Sequence, residues 1–173
     1  MHKLHWGSEL GQQDVVDIVK LAAETGVFTP DEIDCLREDS IECLGLAQTD
    51  GEKRDALAVL RDSSGALLGF VQIGKLPITE NSWCLWWIAV AKEAQGKGVG
   101  TLLLDWSFKK AEFLSCSLGS AREFRMFIET SSKDTFAPAR GLYTRSSFVE
   151  TARIFNYYST GDAKVIFVRE SER

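Results

Sequence analysis

Gln95-Gly96-Lys97-Gly98-Val99-Gly100 places three glycines at alternate positions, between the apolar run Trp86 to Ala91 and a long helical pattern. Without a Cβ, glycine lets the backbone approach a ligand closely, so successive N–H groups can converge on one anion. The first N–H groups of a helix lack internal partners, and the helix dipole favours negative charge there. Strand, glycine turn and helix start together predict a phosphate cradle. A Walker loop is excluded, because Lys97 is followed by Gly98 rather than Ser or Thr. A dinucleotide-binding turn needs its third glycine one residue later, near the start of a βαβ series. A turn that only connects two elements is the bland alternative, but it does not need three glycines and a glutamine.

Gln95 to Gly100 fits, at every specified position, the pattern Gln or Arg, two residues, Gly, one residue, Gly or Ala. Further on, Ala139, Leu142, Tyr143 and Phe148 follow the pattern Ala, two residues, Phe or Leu, Tyr, three residues, Gly, Phe, with Ser147 replacing the glycine. On these segments the chain resembles the GNAT superfamily of N-acetyltransferases. A nearer resemblance covers nearly the whole chain and is to a branch of that superfamily. Its members read like T-W-D-L-Y-W-I-A-V, E-T-S-S and G-D-x-K-V-I-F, matched here by Ser82 to Val90, Glu129 to Ser132 and Gly161 to Phe167. Thr25 to Glu32 matches it as well.

The resemblance implies acetyl-CoA as acetyl donor, with its pyrophosphate on the N–H groups of Gln95, Gly96, Lys97, Gly98, Val99, Gly100 and Thr101. The pantetheine arm would hydrogen-bond along Ile88, Ala89 and Val90, where an N–H could also hold the thioester carbonyl. The acceptor amine would attack directly in a ternary complex, so proximity does much of the work. Tyr143 matches the tyrosine that protonates the leaving thiolate, its other reading being a packed core side chain. Glu129 is the candidate base, acting on the amine through water from a buried site that raises its pKa. Alternatively it caps the Ser131-Ser132 loop or binds a cationic substrate; Glu80, on a solvated loop, is a weaker candidate. Lys97, Lys109 and Lys110 are candidates for the 3′-phosphate. A homodimer is common in such folds.

Two departures stand out. Cys84 occupies the branch's aspartate position, and with no histidine to pair with it reads as a core-filling thiol. Ser147 falls in a left-handed turn, where it costs about 1 kcal/mol more than glycine and predicts a distorted turn. Both keep a second function class open, a non-catalytic acyl-CoA-binding or sensing domain. The leading class is an acetyl-CoA-dependent N-acetyltransferase acting on a small amine, an amino acid or a peptide N-terminus.

The elements that position these residues follow from periodicity. Met1 to Trp6 predicts an edge strand and Gln12 to Glu24 a helix. Thr29-Pro30-Asp31-Glu32 caps a second helix, running to about Leu46. Strands over Ala56 to Arg61 and Ala66 to Gly74 flank the turn Asp62-Ser63-Ser64-Gly65. Ser82 to Val90 is the central strand, Gly98 to about Ser117 the cofactor helix and Glu123 to Glu129 the next strand. Pro138 to Ser146 predicts a short helix, and Glu150 to Tyr158 with Lys164 to Arg169 a last hairpin. On the central strand, alternation puts Trp83 and Trp87 on one face and Trp86 on the other. The fold class is α/β, a GNAT-like sandwich with a mixed, mostly antiparallel sheet, over residues 1–173 as a single domain.

Composition bounds the rest. A net charge of −5 argues against a nucleic-acid surface, which needs clustered Lys and Arg. No run of eighteen apolar residues is present, so no membrane span is expected. Cys35, Cys43, Cys84 and Cys116 form no C-x-x-C pair, and His2 and His5 are the only histidines. Neither a metal site nor a disulfide framework is indicated, and reduced thiols point to a cytoplasmic protein.

Overall fold

The computed structural model describes residues 3–6, 9–48, 55–117 and 123–171. Strand β1 (Lys3–Trp6) precedes helices α1 (Gln12–Thr25) and α2 (Pro30–Gln48), then strands β2 (Asp55–Arg61), β3 (Leu67–Lys75) and β4 (Ser82–Val90). Helix α3 (Val99–Ser117), β5 (Arg125–Ser131), α4 (Ala137–Arg145), β6 (Val149–Ser159) and β7 (Asp162–Glu170) complete the order. One seven-stranded sheet runs β1-β2-β3-β4-β5-β7-β6, antiparallel except for the parallel pair β4–β5. That is the mixed, mostly antiparallel sheet predicted from the sequence. Of the first expected strand, Met1 and His2 lie outside the described residues.

Local chemistry explains the element ends. Thr29 Oγ1 accepts from the Glu32 N–H at 3.3 Å while Glu32 Oε2 accepts from the Thr29 N–H at 2.7 Å, a reciprocal capping box that starts α2. Asp62 Oδ1 accepts from the N–H groups of Ser64 and Ala66 and closes the β2–β3 turn. Helix α4 ends in a full Schellman motif: Phe148 N–H donates to Tyr143 C=O and Ser147 N–H to Thr144 C=O, with Ser147 at φ 65°. The expected distortion is absent, because two well-formed backbone bonds hold the serine in the left-handed region.

Helices α3 and α4 cover one face of the sheet, and α1 and α2 the other. Trp83 marks the α3 face, fully buried with its indole N–H donating to Ser115 at 2.8 Å. On the α1 side, Arg61 of β2 bridges Asp14 and Asp17 at 2.7 and 2.6 Å and ties the helix to the sheet. The core of Ile18, Leu36, Val59, Phe70, Ile73, Leu103, Met126 and Ile128 lies between these layers. Burying an aliphatic or aromatic side chain contributes about 1.5–3 kcal/mol, so the core holds the sheet rigid around an irregular region at its middle.

Candidate active site

That irregular region is the junction of β4 and β5. The two strands pair only from Ser82–Arg125 to Leu85–Ile128, and then diverge. From Trp86 to Val90, β4 keeps β3 on one side and has no β5 partner on the other, among the described residues. Ile88, Ala89 and Val90 thus lie on β4 with one edge open to a ligand. Just before them the register with β3 slips: Ile73 pairs with Leu85 and Gln72 with Trp87, so Trp86 is a bulge.

The glycine segment follows directly. Gln95 closes its start, its side-chain amide donating to Val90 C=O at 3.2 Å. Gly96 and Gly98 take φ of 73° and 83°, and a Cβ on either would meet nothing within 4 Å. Those two glycines face open space, so they are there for backbone conformation and for a ligand's approach, not for packing. Leu102 N–H makes the first bond of α3, to Gly98 C=O. Among the described residues, the N–H groups of Gly96, Lys97, Gly98, Val99, Gly100 and Thr101 find no acceptor. Such a run of N–H donors at a helix start has the geometry to hold an anion. Gly100 differs, since its Cβ would come 2.7 Å from Leu142 Cδ2. The third glycine lets α4 approach α3.

That approach positions Tyr143, the next residue. Its ring is buried, 4% exposed, and packs edge-on to Phe167 of β7 at 5.6 Å. Its hydroxyl has no hydrogen-bond partner among the described residues, and is not among the polar atoms sealed from solvent. Burial pushes the phenol's pKa up, so it keeps its proton across the physiological range.

Glu129 departs from expectation. It is exposed rather than buried, and its carboxylate forms an ion pair with Lys164 of β7. The alternation of β5 explains this: Met126, Ile128 and Thr130 are buried, while Glu129 points to the opposite face, away from Tyr143. Two sequence segments that resemble the branch meet here. Ser131 Oγ donates to Asp162 Oδ1 at 2.6 Å, Ser132 N–H donates to the same oxygen, and Ala163 N–H donates to Ser132 Oγ. The Ser131 hydrogen bond holds the Asp162 carboxyl below its usual pKa; burial opposes this, and Lys133 at 3.4 Å adds to the lowering. E-T-S-S and G-D-x-K are therefore one cross-strand lock.

Other sequence candidates fall elsewhere. Cys84 is a buried thiol, pushed up to about 12 by burial and then by the charge of Glu129, so it is no nucleophile at neutral pH. Glu80 sits in the β3–β4 connection, at the end of β4 remote from the glycines. Lys109 and Lys110 lie three turns along α3, about 16 Å from its start. Lys110 Nζ rests over the Trp6 ring at 4.0 Å, which leaves Lys97 as the one of the three within the loop. His5 bonds Glu9 at 3.1 Å, and among the described residues no His, Cys, Asp and Glu group could hold a metal ion.

The tryptophan assignment is corrected by the bulge. Trp83 faces α3, but Trp86 and Trp87 both lie toward α2: Trp87 donates to Asp39 at 2.7 Å, and Trp86 lines a cleft with Asp39 and Glu42. One inserted residue turns the strand by one place, so parity no longer holds across it. Phe28, 6.0 Å from Trp87, and Tyr157, whose ring lies 4.1 Å from Lys164 Nζ, are site neighbours that sequence reasoning missed. The lysine of G-D-x-K pointed toward Tyr157, and the Thr25 to Glu32 match contained Phe28.

Against known proteins, the profile of the acetyltransferase (GNAT) domain matches residues 52–150. No curated protein matches the chain. Among solved structures, a Desulfovibrio desulfuricans protein assigned to the GNAT family is similar with TM-score 0.83 and 28% identity, covering 98% of this chain and 99% of that one. The ribosomal-protein-S18-alanine N-acetyltransferase of Escherichia coli has TM-score 0.71 at 18% identity, covering 100% and 96%. A spermidine N-acetyltransferase from Vibrio cholerae, in complex with CoA and spermine, has TM-score 0.67 at 16% identity, covering 98% and 95%. The last two are likenesses of fold.

Proposed function

The chain belongs to the GNAT acetyltransferase family, and from that premise we propose that it is an acetyl-CoA-dependent N-acetyltransferase acting on a primary amine. The observation that carries the reading is the continuity of open β4 edge and unengaged loop N–H groups, with Gly96 and Gly98 in open space. A pyrophosphate fits that cradle, and an extended amide-bearing arm fits the free edge of Ile88, Ala89 and Val90. Acetyl-CoA, when bound, supplies the acetyl group as an activated thioester.

The chain's own residues do the rest. The N–H groups from Gly96 to Thr101 hold the phosphates, Gln95, whose own N–H donates to Lys92 C=O, closes the loop's start, and Lys97 adds charge from the loop. The β4 edge fixes the reacting carbonyl, which turns a bimolecular attack into a positioned one. Tyr143, on the α3 face and neutral by burial, donates its proton to the departing thiolate. Glu129 stands on the opposite face with Lys164, where the acceptor amine would enter. There it takes the amine's proton through water once the ion pair opens. The intact turn at Ser147 weakens the non-catalytic alternative.

Residues 1–173 are read as one acetyltransferase domain, which the single sheet supports. Four free cysteines support a reducing, cytoplasmic setting. Among the described residues no helix is long and apolar enough to cross a membrane. The solvent-facing edge strand β6, exposed throughout, is the surface on which a homodimer would pair.

Calorimetric titration with acetyl-CoA, beside Gly98→Glu, tests the reading. Micromolar binding by the wild type that the variant loses, followed by turnover in an amine panel, is the expected result. A wild-type protein that binds no acetyl-CoA would overturn it.

A further inference from the structure

A second feature lies on the α2 side of the sheet, beside the bulge. Asp39, Glu42 and Cys43 of α2 face Asp55 of β2, Gln72 of β3 and Trp86 of β4 across a cleft of about 250 Å³. At about 30 Å³ per water, that is room for a short alkyl chain. Apart from Cys43, every titratable group lining it among the described residues is acidic. The carboxylates come from two separate elements, with Asp39 and Glu42 one turn apart on α2. Their summed field is felt at Cys43, pushed up to about 12 by burial and then by Asp55, Glu42 and Asp39.

Gln72 shows that the cleft is built for a donor. It is 3% exposed, and its amide nitrogen donates to Asp39 C=O at 3.3 Å. That bond fixes the amide of this cleft-lining residue and leaves its Oε1 buried, with no partner among the described residues. A sealed carbonyl-type acceptor without a donor is costly, and folded proteins rarely keep one. Gly74 belongs to the same construction. A Cβ there would collide with the Asp55 carboxylate and the Trp86 indole, both of which lie over its Cα. The missing side chain is what lets acid and aromatic reach the same space.

The ligand's chemistry follows. It carries N–H donors for Gln72, positive charge for the carboxylates, and apolar surface for the half-exposed Trp86. A metal ion is disfavoured, because among the described residues no cluster of His, Cys, Asp and Glu is close enough to ligate one. The position matters as much. Trp86 immediately follows the last β4 residue that pairs with β5, and Ile88 lies two residues further, about 7 Å along the strand. The cleft therefore opens beside the open half of β4. We propose that it binds the second, non-reacting ammonium group of a di- or polyamine acceptor, while the first is presented at the β4 edge.

This inference rests on the transferase reading for the word acceptor, but the cleft can be tested without it. CoA-free protein would be titrated calorimetrically with cadaverine and with pentylamine, which share a chain length but differ by one ammonium group. Cadaverine is expected to bind about tenfold tighter. Glu42→Gln, on a solvated helix position, and Gln72→Met, which removes the orphan acceptor, should each erase most of that preference. In turnover both variants should raise KM for cadaverine while kcat and acetyl-CoA affinity stay put. Equal binding of the two amines, or a preference indifferent to both variants, overturns the proposal. If acetyl-CoA fails to bind but the preference persists and needs Glu42 and Gln72, the cleft stands and the transferase reading falls. If pentylamine is acetylated as well as cadaverine, the transferase reading stands and the cleft proposal falls.

Discussion

Replacing Gly98 and Gly100 separately by alanine should divide ligand binding from packing, although the two glycines sit two residues apart. At Gly98 the φ of 83° makes any Cβ strained, while the space around it is open. Alanine in the left-handed region costs roughly 1–2 kcal/mol. For a chain of this size that lowers Tm by about 2–8 °C. The new methyl projects where the phosphates would lie, so acetyl-CoA affinity should fall by about tenfold or more, which is at least ~1.4 kcal/mol. At Gly100 the φ is not left-handed, but the Cβ lands 2.7 Å from Leu142 Cδ2. Overpacking costs about 1–3 kcal/mol, offset by up to ~1 kcal/mol from alanine's better helix propensity. Gly100→Ala should therefore melt lower yet bind acetyl-CoA within about threefold of wild type. Leu142→Ala would clear the collision, so the double variant should be more stable than the sum of the singles by about 1 kcal/mol. Thermal melts of the four variants and the wild type, and calorimetric titrations of each, give the two readouts. A Gly100→Ala protein with wild-type Tm and affinity as poor as Gly98→Ala, or a coupling near zero, would refute the division of roles.

Tyr143→Phe removes a hydroxyl that bonds no atom of the described residues, so Tm should stay within about a degree while kcat falls by roughly 10²-fold or more; acetyl-CoA affinity should hold. Because burial raises the phenol's pKa, wild-type kcat should not decline on approaching pH 10, the usual tyrosine value; a decline there would count against it as the proton donor. Asp162 has its folded pKa held below 3.8, so its carboxylate stabilises the fold above that value and the contribution is lost as pH falls through the lowered one. Melts from pH 7 to pH 2 should show Asp162→Asn already weakened at neutrality, with a shallower acid slope than wild type; parallel curves would contradict the lock. Ser147→Gly relieves left-handed strain at a turn whose hydrogen bonds are intact, and should raise Tm by about 2–4 °C; a lower Tm would show that the serine side chain contributes to the turn.

How much of the site was legible depended on whether its cause was local. The glycine turn at Gln95 to Gly100, the capped start of α2 and the place of Tyr143 on α4 each follow from backbone demands spanning a few residues, and each stands where the pattern put it. Glu129 was legible as a position at the end of β5, but not as an exposed partner of Lys164 thirty-five residues on. Its burial depends on which face β7 presents, which no short window contains. The pairing of Ser131 with Asp162 is similar: both segments could be read, their contact could not.

By itself the sequence determined the element order, the glycine turn before α3 and the residue types available for chemistry, because glycine conformations, caps and hydrophobic periods are set by near neighbours. Tertiary structure alone decided the rest. The slipped register between β3 and β4 turned Trp87 toward α2 beside Trp86, the divergence of β5 opened the β4 edge, and α2 brought its acids over Gln72. Each is a matter of strand register or of which face meets which, and a one-residue shift in a pairing reverses every side chain beyond it.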